Sequence, residues 1–118
     1  MIYENELVIL EVESSEVPWV KIFTKRKVKE FSECAPEEKS EIFRIIDIVE
    51  KSMLSYFEAD KINIASFGNL LPHVHWHIMA RFEGDSYFPE PMWGAQQREA
   101  NLELPSFEVF FSELVKQL

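Results

Sequence analysis

The chain has 118 residues, of which 47% are hydrophobic and 28% charged. This composition is ordinary for one folded domain and too apolar for a disordered protein. The formal net charge of −9 argues against binding of a nucleic-acid polymer, and no apolar run approaches the ~20 residues of a membrane span. A single cysteine, Cys34, excludes an internal disulfide. Together with an acidic rather than basic N-terminal stretch, it predicts a cytoplasmic protein without a membrane partner.

The first two predicted elements are strands. Residues 6–12 (ELVILEV) form an apolar run typical of a buried strand, and residues 19–24 (WVKIFT) are rich in β-branched and aromatic residues. The turn-like SSEVP between them predicts an antiparallel pair. Five of the twelve basic residues then cluster within nine positions: Lys21, Lys25, Arg26, Lys27 and Lys29. The cluster is interpreted either as a charged edge that resists aggregation or as a field that attracts a small anion.

The clearest helix is predicted over residues 36–59. Pro36 suits the first helical position, and the two glutamates after it complement the helix dipole. Apolar residues recur at three- and four-residue spacing and form one stripe: Ile42, Ile45, Ile46, Val49, Met53 and Phe57. We therefore expect this helix to cover one face of a sheet.

Two further strands and a second helix follow. Residues 61–68 (KINIASFG) and 72–82 (PHVHWHIMARF) are predicted to form a hairpin. Residues 83–94 are rich in turn residues and proline, which predicts a surface segment with aromatic anchors. Residues 106–118 show an apolar helical stripe after Ser106 as N-cap, packing either on its own domain or on a partner. The elements predict an α+β domain with an antiparallel sheet and a helix on one face.

All three histidines of the chain, His73, His75 and His77, stand at alternate positions of one predicted strand. Because side chains alternate along a strand, the three imidazoles are predicted to share a face. The other face is predicted to pack on the core helix through Val74, Trp76, Ile78 and Ala80. Three interpretations compete: structural histidines, a zinc site built on the HxH pattern, and a nucleophilic histidine acting on phosphate. The zinc interpretation finds no clear third or fourth ligand in the sequence.

The segment HVHWHIM (residues 73–79) resembles the His-φ-His-φ-His-φ-φ signature of the histidine triad (HIT) superfamily, where φ is hydrophobic. Similarity extends to residues 19–31, to the long helix and to the sequence around the motif, over about residues 2–94. Residues 95–118 are then a C-terminal extension of a single domain, residues 1–118. The resemblance implies a HIT-like α+β fold, with a roughly five-stranded antiparallel sheet, one long helix on a face and a C-terminal helix. It also implies a homodimer.

The resemblance further implies nucleotide chemistry, because HIT enzymes are hydrolases or transferases acting at an α-phosphate. His75 is the expected nucleophile, giving a nucleotidyl-histidine intermediate from a nucleoside phosphoramidate or a dinucleoside polyphosphate. His73 and His77 are expected to orient it, bind phosphate and assist the leaving group. No cofactor is expected to be obligatory, although a divalent metal ion can accompany the substrate. The alternative is a non-catalytic nucleotide-binding or interaction module with the same fold.

Three more residues are expected to bind substrate. Asn69 matches a position where relatives contact phosphate, and Ser66 lies near another; the ordinary alternative for both is a turn residue. Trp19 stands where many relatives have a fourth histidine, and is expected to pack against a base, the motif strand or the core. Because an indole cannot accept a proton as imidazole does, we expect the orienting role of that histidine to be missing. The loop of residues 69–72 is shorter than in well-characterised relatives and has leucines where polar residues are usual.

Overall fold

The structure, a computed structural model, describes all residues 1–118. Its strands are β1 (Tyr3–Glu4), β2 (Val8–Val12), β3 (Trp19–Thr24), β4 (Lys61–Ala65) and β5 (His75–Arg81). Its helices are α1 (Pro36–Phe57) and α2 (Phe107–Val115), with a short 3₁₀ turn at Phe31–Glu33. The strands form one antiparallel sheet in the order β1-β2-β3-β5-β4. The predicted five-stranded α+β fold with one long and one C-terminal helix is confirmed.

The helix α1 covers one face of the sheet. All six residues of its predicted apolar stripe are buried, and they share one core with side chains from β2 to β5 that include Leu10, Ile22 and Ile78. Each such side chain contributes roughly 1.5–3 kcal/mol through its removal from water. The helix begins at Pro36, where Glu38 accepts the backbone N–H of Ala35 at 2.7 Å. This face holds most of the apolar core of the molecule.

The C-terminal helix α2 belongs to the same core. Phe110 and Leu114 are 2% and 0% exposed and pack with the α1 stripe. Ser106 caps the helix, because its hydroxyl oxygen accepts the backbone N–H of Val109 at 3.2 Å. The hydroxyl of Tyr56 in α1 donates to the Ser106 carbonyl at 2.9 Å. The apolar stripe of this segment therefore packs on its own domain.

The motif strand is shorter than predicted. β5 begins at His75 rather than at residue 72, and β4 ends at Ala65 rather than at residue 68. Pro72 has no N–H for a ladder, and the His73 N–H closes a tight turn onto the Leu71 carbonyl at 2.8 Å. His73 therefore lies outside the strand. On the predicted apolar face, Ile78 and Ala80 join the main core and Trp76 packs against it. Val74 lies in a smaller cluster with Val28 and Cys34, against which Trp76 also packs.

The connection between β5 and α2, residues 82–106, crosses the opposite face of the sheet before it returns to the helical layer. It is anchored by Arg81 and Asp85, which are 2% and 0% exposed and pair through two hydrogen bonds of 2.9 and 3.0 Å. Farther along, the Asn101 N–H donates to the Gly84 carbonyl at 2.9 Å. A Cβ at Gly84 would lie 2.6 Å from the Asn101 carbonyl oxygen, so this crossing requires glycine. Neither helix has the length and apolarity of a membrane span.

Candidate active site

The face of the sheet away from α1 carries a cleft of about 580 Å³. Its lining comes from β3 and β5, from the loop between β4 and β5, and from single residues before β3 and in the β5–α2 connection. The strand residues are Lys21, Phe23, His75 and His77; the others are Glu13, Phe67, Gly68, Asn69, Leu70, Leu71 and Trp93. The antiparallel register explains the grouping, since Lys21 pairs with His77 and Phe23 with His75, and directly paired residues share a face.

The His75 side chain is held in one tautomer. Its Nδ1 lies 2.7 Å from the backbone carbonyl oxygen of His73. A carbonyl only accepts, so Nδ1 carries the proton and Nε2 of the neutral ring carries the lone pair. Nε2 of His75 makes no hydrogen bond within the protein. It is not fully buried either, because the only fully buried side-chain nitrogen or oxygen without a partner is Nε1 of Trp76. The lone pair of His75 therefore opens into the cleft, while Phe23 stacks on the ring at 4.8 Å between centroids.

The His77 side chain has the opposite tautomer. The indole Nε1–H of Trp19 donates to His77 Nδ1 at 3.0 Å, so Nδ1 carries the lone pair and Nε2 of the neutral ring carries the proton. Burial, followed by the nearby His75 and Lys21, lowers the pKa of His77 to about 4. His77 is therefore neutral at pH 7, and its Nε2–H, which has no protein partner, is a hydrogen-bond donor. The two histidine rings lie 5.0 Å apart.

His73 does not line the cleft. Its Nε2 lies 2.7 Å from the carbonyl oxygen of Thr24 and 3.1 Å from the Thr24 hydroxyl. That hydroxyl already donates to the Arg26 carbonyl at 2.8 Å, so it accepts from His73 and Nε2 of His73 is the donor. The side chain thus fixes the position of the His73 backbone, whose carbonyl sets the tautomer of His75. Of the three histidines predicted to share a face, two line the cleft and the third lies outside it, with its ring against Phe23.

The basic cluster near β3 is divided between the cleft and the surface. Lys21 lines the cleft, where its ammonium pairs with Glu13 at 3.1 Å. Lys25 pairs with Glu4, and Arg26 pairs with Glu38 at the start of α1 at 2.7 Å. Of the five basic residues, Lys21 alone brings positive charge to the cleft. No group of three or more potential ligand residues is arranged to hold a metal ion.

The chain resembles known proteins in sequence and in structure. A profile of the HIT domain matches residues 1–84. The chain belongs to the HIT domain family. A histidine triad protein from Bradyrhizobium japonicum is 30% identical, with a TM-score of 0.79 over 98% of this chain and 87% of that one. One from Marinobacter aquaeolei VT8 is 25% identical, with a TM-score of 0.81 over 99% of this chain and 88% of that one. No curated protein matches the sequence.

Of the two loop residues expected from the HIT resemblance to bind substrate, one lines the cleft and the other does not. Asn69 lines the cleft, and its side-chain amide makes no hydrogen bond within the protein. Ser66 does not line it; the Ser66 hydroxyl donates to the backbone carbonyl of His75 at 2.6 Å and so holds the motif strand. The neighbouring Leu70 and Leu71 line the cleft and are 99% and 48% exposed. The loop of this HIT protein therefore offers one amide and two apolar side chains to a ligand.

The expectation for Trp19 is wrong in one respect. An indole cannot accept a proton, but its N–H can donate, and it does so to His77. An orienting contact to His77 is therefore present at this position, contrary to that expectation. Sequence reasoning overlooked this because the contact depends on the β3–β5 register, which no local pattern reveals.

Trp93 is a residue of the cleft that the sequence did not single out. Its ring lies 4.9 Å from that of His77, 5.3 Å from that of Trp19 and 4.9 Å from that of Phe67, in edge-on arrangements. The sequence indicated Trp93 only as one of the aromatic anchors predicted within residues 83–94. Its position depends on the β5–α2 connection, which Arg81 and Asp85 hold against the sheet.

Proposed function

We propose that this HIT protein is a nucleotide hydrolase or nucleotidyltransferase that acts at an α-phosphate through His75. One observation carries the proposal: the Nδ1–H of His75 is held by the His73 carbonyl, so the Nε2 lone pair opens into the cleft. Neutral imidazole with a free lone pair is an effective nucleophile near pH 7. The tautomer is set before any substrate arrives.

In the proposed first step, Nε2 of His75 forms a bond to the α-phosphorus. The bond from phosphorus to the leaving group breaks, and the leaving group departs with the electron pair and takes up a proton from solvent. In the second step, water attacks phosphorus and gives up a proton to solvent, the N–P bond breaks, and a nucleoside monophosphate leaves as His75 recovers its lone pair. Two displacements replace one difficult direct attack by water. A different acceptor in place of water would make the reaction a nucleotidyl transfer.

Three groups of the cleft are suited to a phosphate. The Nε2–H of neutral His77 and the amide of Asn69 are hydrogen-bond donors without protein partners. The ammonium of Lys21 is a further donor, although Glu13 offsets its charge within the cleft. Donors held in place before the reaction stabilise charge that develops in the transition state. The aromatic walls formed by Phe23, Phe67 and Trp93 are suited to stacking on a base. Nucleoside phosphoramidates and dinucleoside polyphosphates, which combine a base with an α-phosphate, are the proposed substrates.

The proposal is tested by AMP release from an adenosine phosphoramidate and from a diadenosine polyphosphate. We expect the wild type to release AMP and His75→Ala to show only background release. Val109→Ala, on the exposed side of α2, is the matched control and should retain the wild-type rate. Quenched wild-type reactions should contain protein heavier by one nucleotidyl group. Equal rates for the wild type and His75→Ala on both substrates would contradict the proposal.

The second candidate function is a nucleotide-binding module without efficient catalysis. The exposed leucines at 70 and 71 favour it, because they stand in the cleft in place of further donors to phosphate. It requires saturable AMP binding by titration calorimetry with no nucleotidyl-protein in any reaction. AMP release that depends on His75 rules it out.

Two further proposals concern the metal and the oligomer. We propose that no metal ion is obligatory, so activity should survive treatment with a chelator. We also propose a homodimer that joins two sheets at β4, because β4 is an edge strand paired with β5 alone and its Ile64 is 42% exposed. Open strand edges favour pairing with another chain. Light scattering should give twice the mass of the chain, and Ile64→Lys should give the monomer.

A further inference from the structure

We infer that Trp19 is a positioning residue that fixes the tautomer of His77, so that the two cleft histidines present complementary nitrogens. The catalytic consequence rests on the function proposed above. The tautomer itself does not, because it is a property of the protein without substrate.

The contact has a specific geometric origin. Trp19 is paired with Met79 and Lys21 with His77, so Trp19 and His77 are diagonal neighbours on one face of the sheet, a separation that large side chains bridge. Their rings are 5.7 Å apart and inclined by 68°. The Nε1–H of Trp19 meets the edge of the imidazole at Nδ1, at 3.0 Å. This is a directed hydrogen bond as well as an apolar contact.

Indole chemistry makes the bond one-directional. The Trp19 nitrogen is a donor only, whereas a histidine at this position could donate or accept. The partner nitrogen of His77 must therefore keep its lone pair, which leaves the proton on Nε2. The other groups that face His77 do not impose this choice. Trp93 and Phe67 contact the ring without a hydrogen bond to it, and His75, Lys21 and Glu13 act on its charge.

The result is a matched pair of rings 5.0 Å apart. His75 exposes a lone pair at Nε2 because its Nδ1–H donates to the His73 carbonyl. His77 exposes a proton at Nε2 because Trp19 occupies its lone pair at Nδ1. A phosphate in the cleft then meets a nucleophile from one ring and a hydrogen-bond donor from the next. If His77 adopted the other tautomer, two lone pairs would face an anion, which is repulsive.

The test is ¹⁵N NMR of the histidine rings in the ligand-free full chain, with Trp19→Phe as the variant. In the wild type we expect a protonated Nε2 and an unprotonated, hydrogen-bonded Nδ1 on His77. In Trp19→Phe we expect a mixture of tautomers and a His77 pKa above the wild-type value of about 4. The sign follows because a donor to the lone pair favours the neutral ring, and its loss favours the charged one.

Trp93→Phe is the matched control, because Trp93 touches the same ring without a hydrogen bond to it. It should leave the His77 tautomer as in the wild type. If Trp19→Phe leaves the tautomer unchanged, or if Trp93→Phe alters it equally, the inference is overturned. Should Trp19→Phe fail to fold, benzothienylalanine at position 19 retains the indole shape and replaces the N–H with sulfur; it must give the same change of tautomer.

Activity provides a separate readout. In Trp19→Phe we expect kcat on the phosphoramidate to fall about tenfold with KM nearly unchanged, the scale on which loss of a group that orients a histidine acts. Trp19→His, which can again donate to Nδ1, should recover part of kcat. If no variant, including the wild type, releases AMP, the proposed function fails while the NMR result still decides the inference about Trp19.

Discussion

The two faces of the sheet are stabilised in different ways. On the α1 face, stability comes from many contacts within a core of 17 buried apolar residues, each of which is weak and non-directional. On the cleft face, a few directed hydrogen bonds hold individual groups: one bond each joins Trp19 to His77 and His75 to the His73 carbonyl. Two bonds join Arg81 to Asp85. Single mutations on the α1 face should therefore lower stability by small amounts. On the cleft face, a single mutation should displace a side chain or change its protonation state.

The largest effect should come from Asp85→Ala on the cleft face. Asp85 accepts two hydrogen bonds from Arg81 and further ones from the backbone N–H groups of Phe82, Tyr87 and Phe88. Its loss leaves a buried guanidinium without its counter-charge, and we expect the free energy of unfolding to fall by about 3–5 kcal/mol in urea titrations. Asp47→Ala removes an exposed partner of Lys51 and should cost under about 1 kcal/mol. Similar losses for the two variants would mean that the cleft face is not specially dependent on this pair.

The second-largest effect should be a pH dependence of stability that arises from His77. Its pKa is about 4 in the folded protein and about 6.5 in the unfolded chain, so the unfolded chain binds more protons between these values. Stability therefore falls as pH decreases from about 6.5 to about 4, by up to about 3 kcal/mol. His77→Gln should remove this part of the slope in urea titrations at several pH values. An unchanged slope in that variant would assign it to other groups.

Asp85 adds to the acid sensitivity at lower pH. Burial alone would raise the pKa of its carboxyl, but the hydrogen bonds from Arg81 and from three backbone N–H groups outweigh burial and hold the pKa below its usual value. Its contribution is complete above the unfolded pKa and is lost as pH falls through the folded one. The acid loss from Asp85 thus begins below the range in which His77 acts.

A smaller effect is expected on the α1 face. Ile78→Val removes one methylene group from a fully buried side chain of β5 and should cost about 0.5–1.5 kcal/mol. The His77 tautomer on the opposite face should be unchanged in the same variant by ¹⁵N NMR. A change of tautomer in Ile78→Val would show that the two faces are not independent.

The smallest effect should follow Ser66→Ala. The Ser66 hydroxyl donates to the His75 carbonyl at 2.6 Å. Because Ser66 is exposed, water can replace this bond, and its loss should cost only about 0.5 kcal/mol of stability. Because Ser66 does not line the cleft, KM for the phosphoramidate should be unaffected. A selective rise in KM would instead restore Ser66 to the substrate-binding residues.

The sequence predicted what depends on local periodicity. The α1 stripe, the Ser106 cap and the alternation that separates His75 and His77 from Ile78 and Ala80 follow from spacing alone, and the structure confirms them. The two-residue strand β1 lacks the length to give a pattern. The failures concern contacts between elements.

Those contacts need the strand register or the path of a connection. The Trp19–His77 bond depends on which β3 residue lies beside which β5 residue. Trp93 reaches the cleft only because the β5–α2 connection folds back over the sheet. His73 left the predicted row because Pro72 and a tight turn end the ladder before it. The first two are not encoded in the residue's own neighbourhood, whereas Pro72, directly before His73, is a local signal that the alternation pattern alone does not include.

The position of α2 has a consequence for synthesis of the protein. All three histidines have been translated by residue 77, and the Arg81–Asp85 pair follows within eight residues. The core they rest on also contains Phe110 and Leu114, which emerge from the ribosome some thirty residues later. Until then, the α1 surface that α2 covers is exposed on a nascent chain that already carries every histidine. Such an intermediate presents apolar surface to chaperones, so the histidine strand is synthesised before the helix that completes the core beneath it.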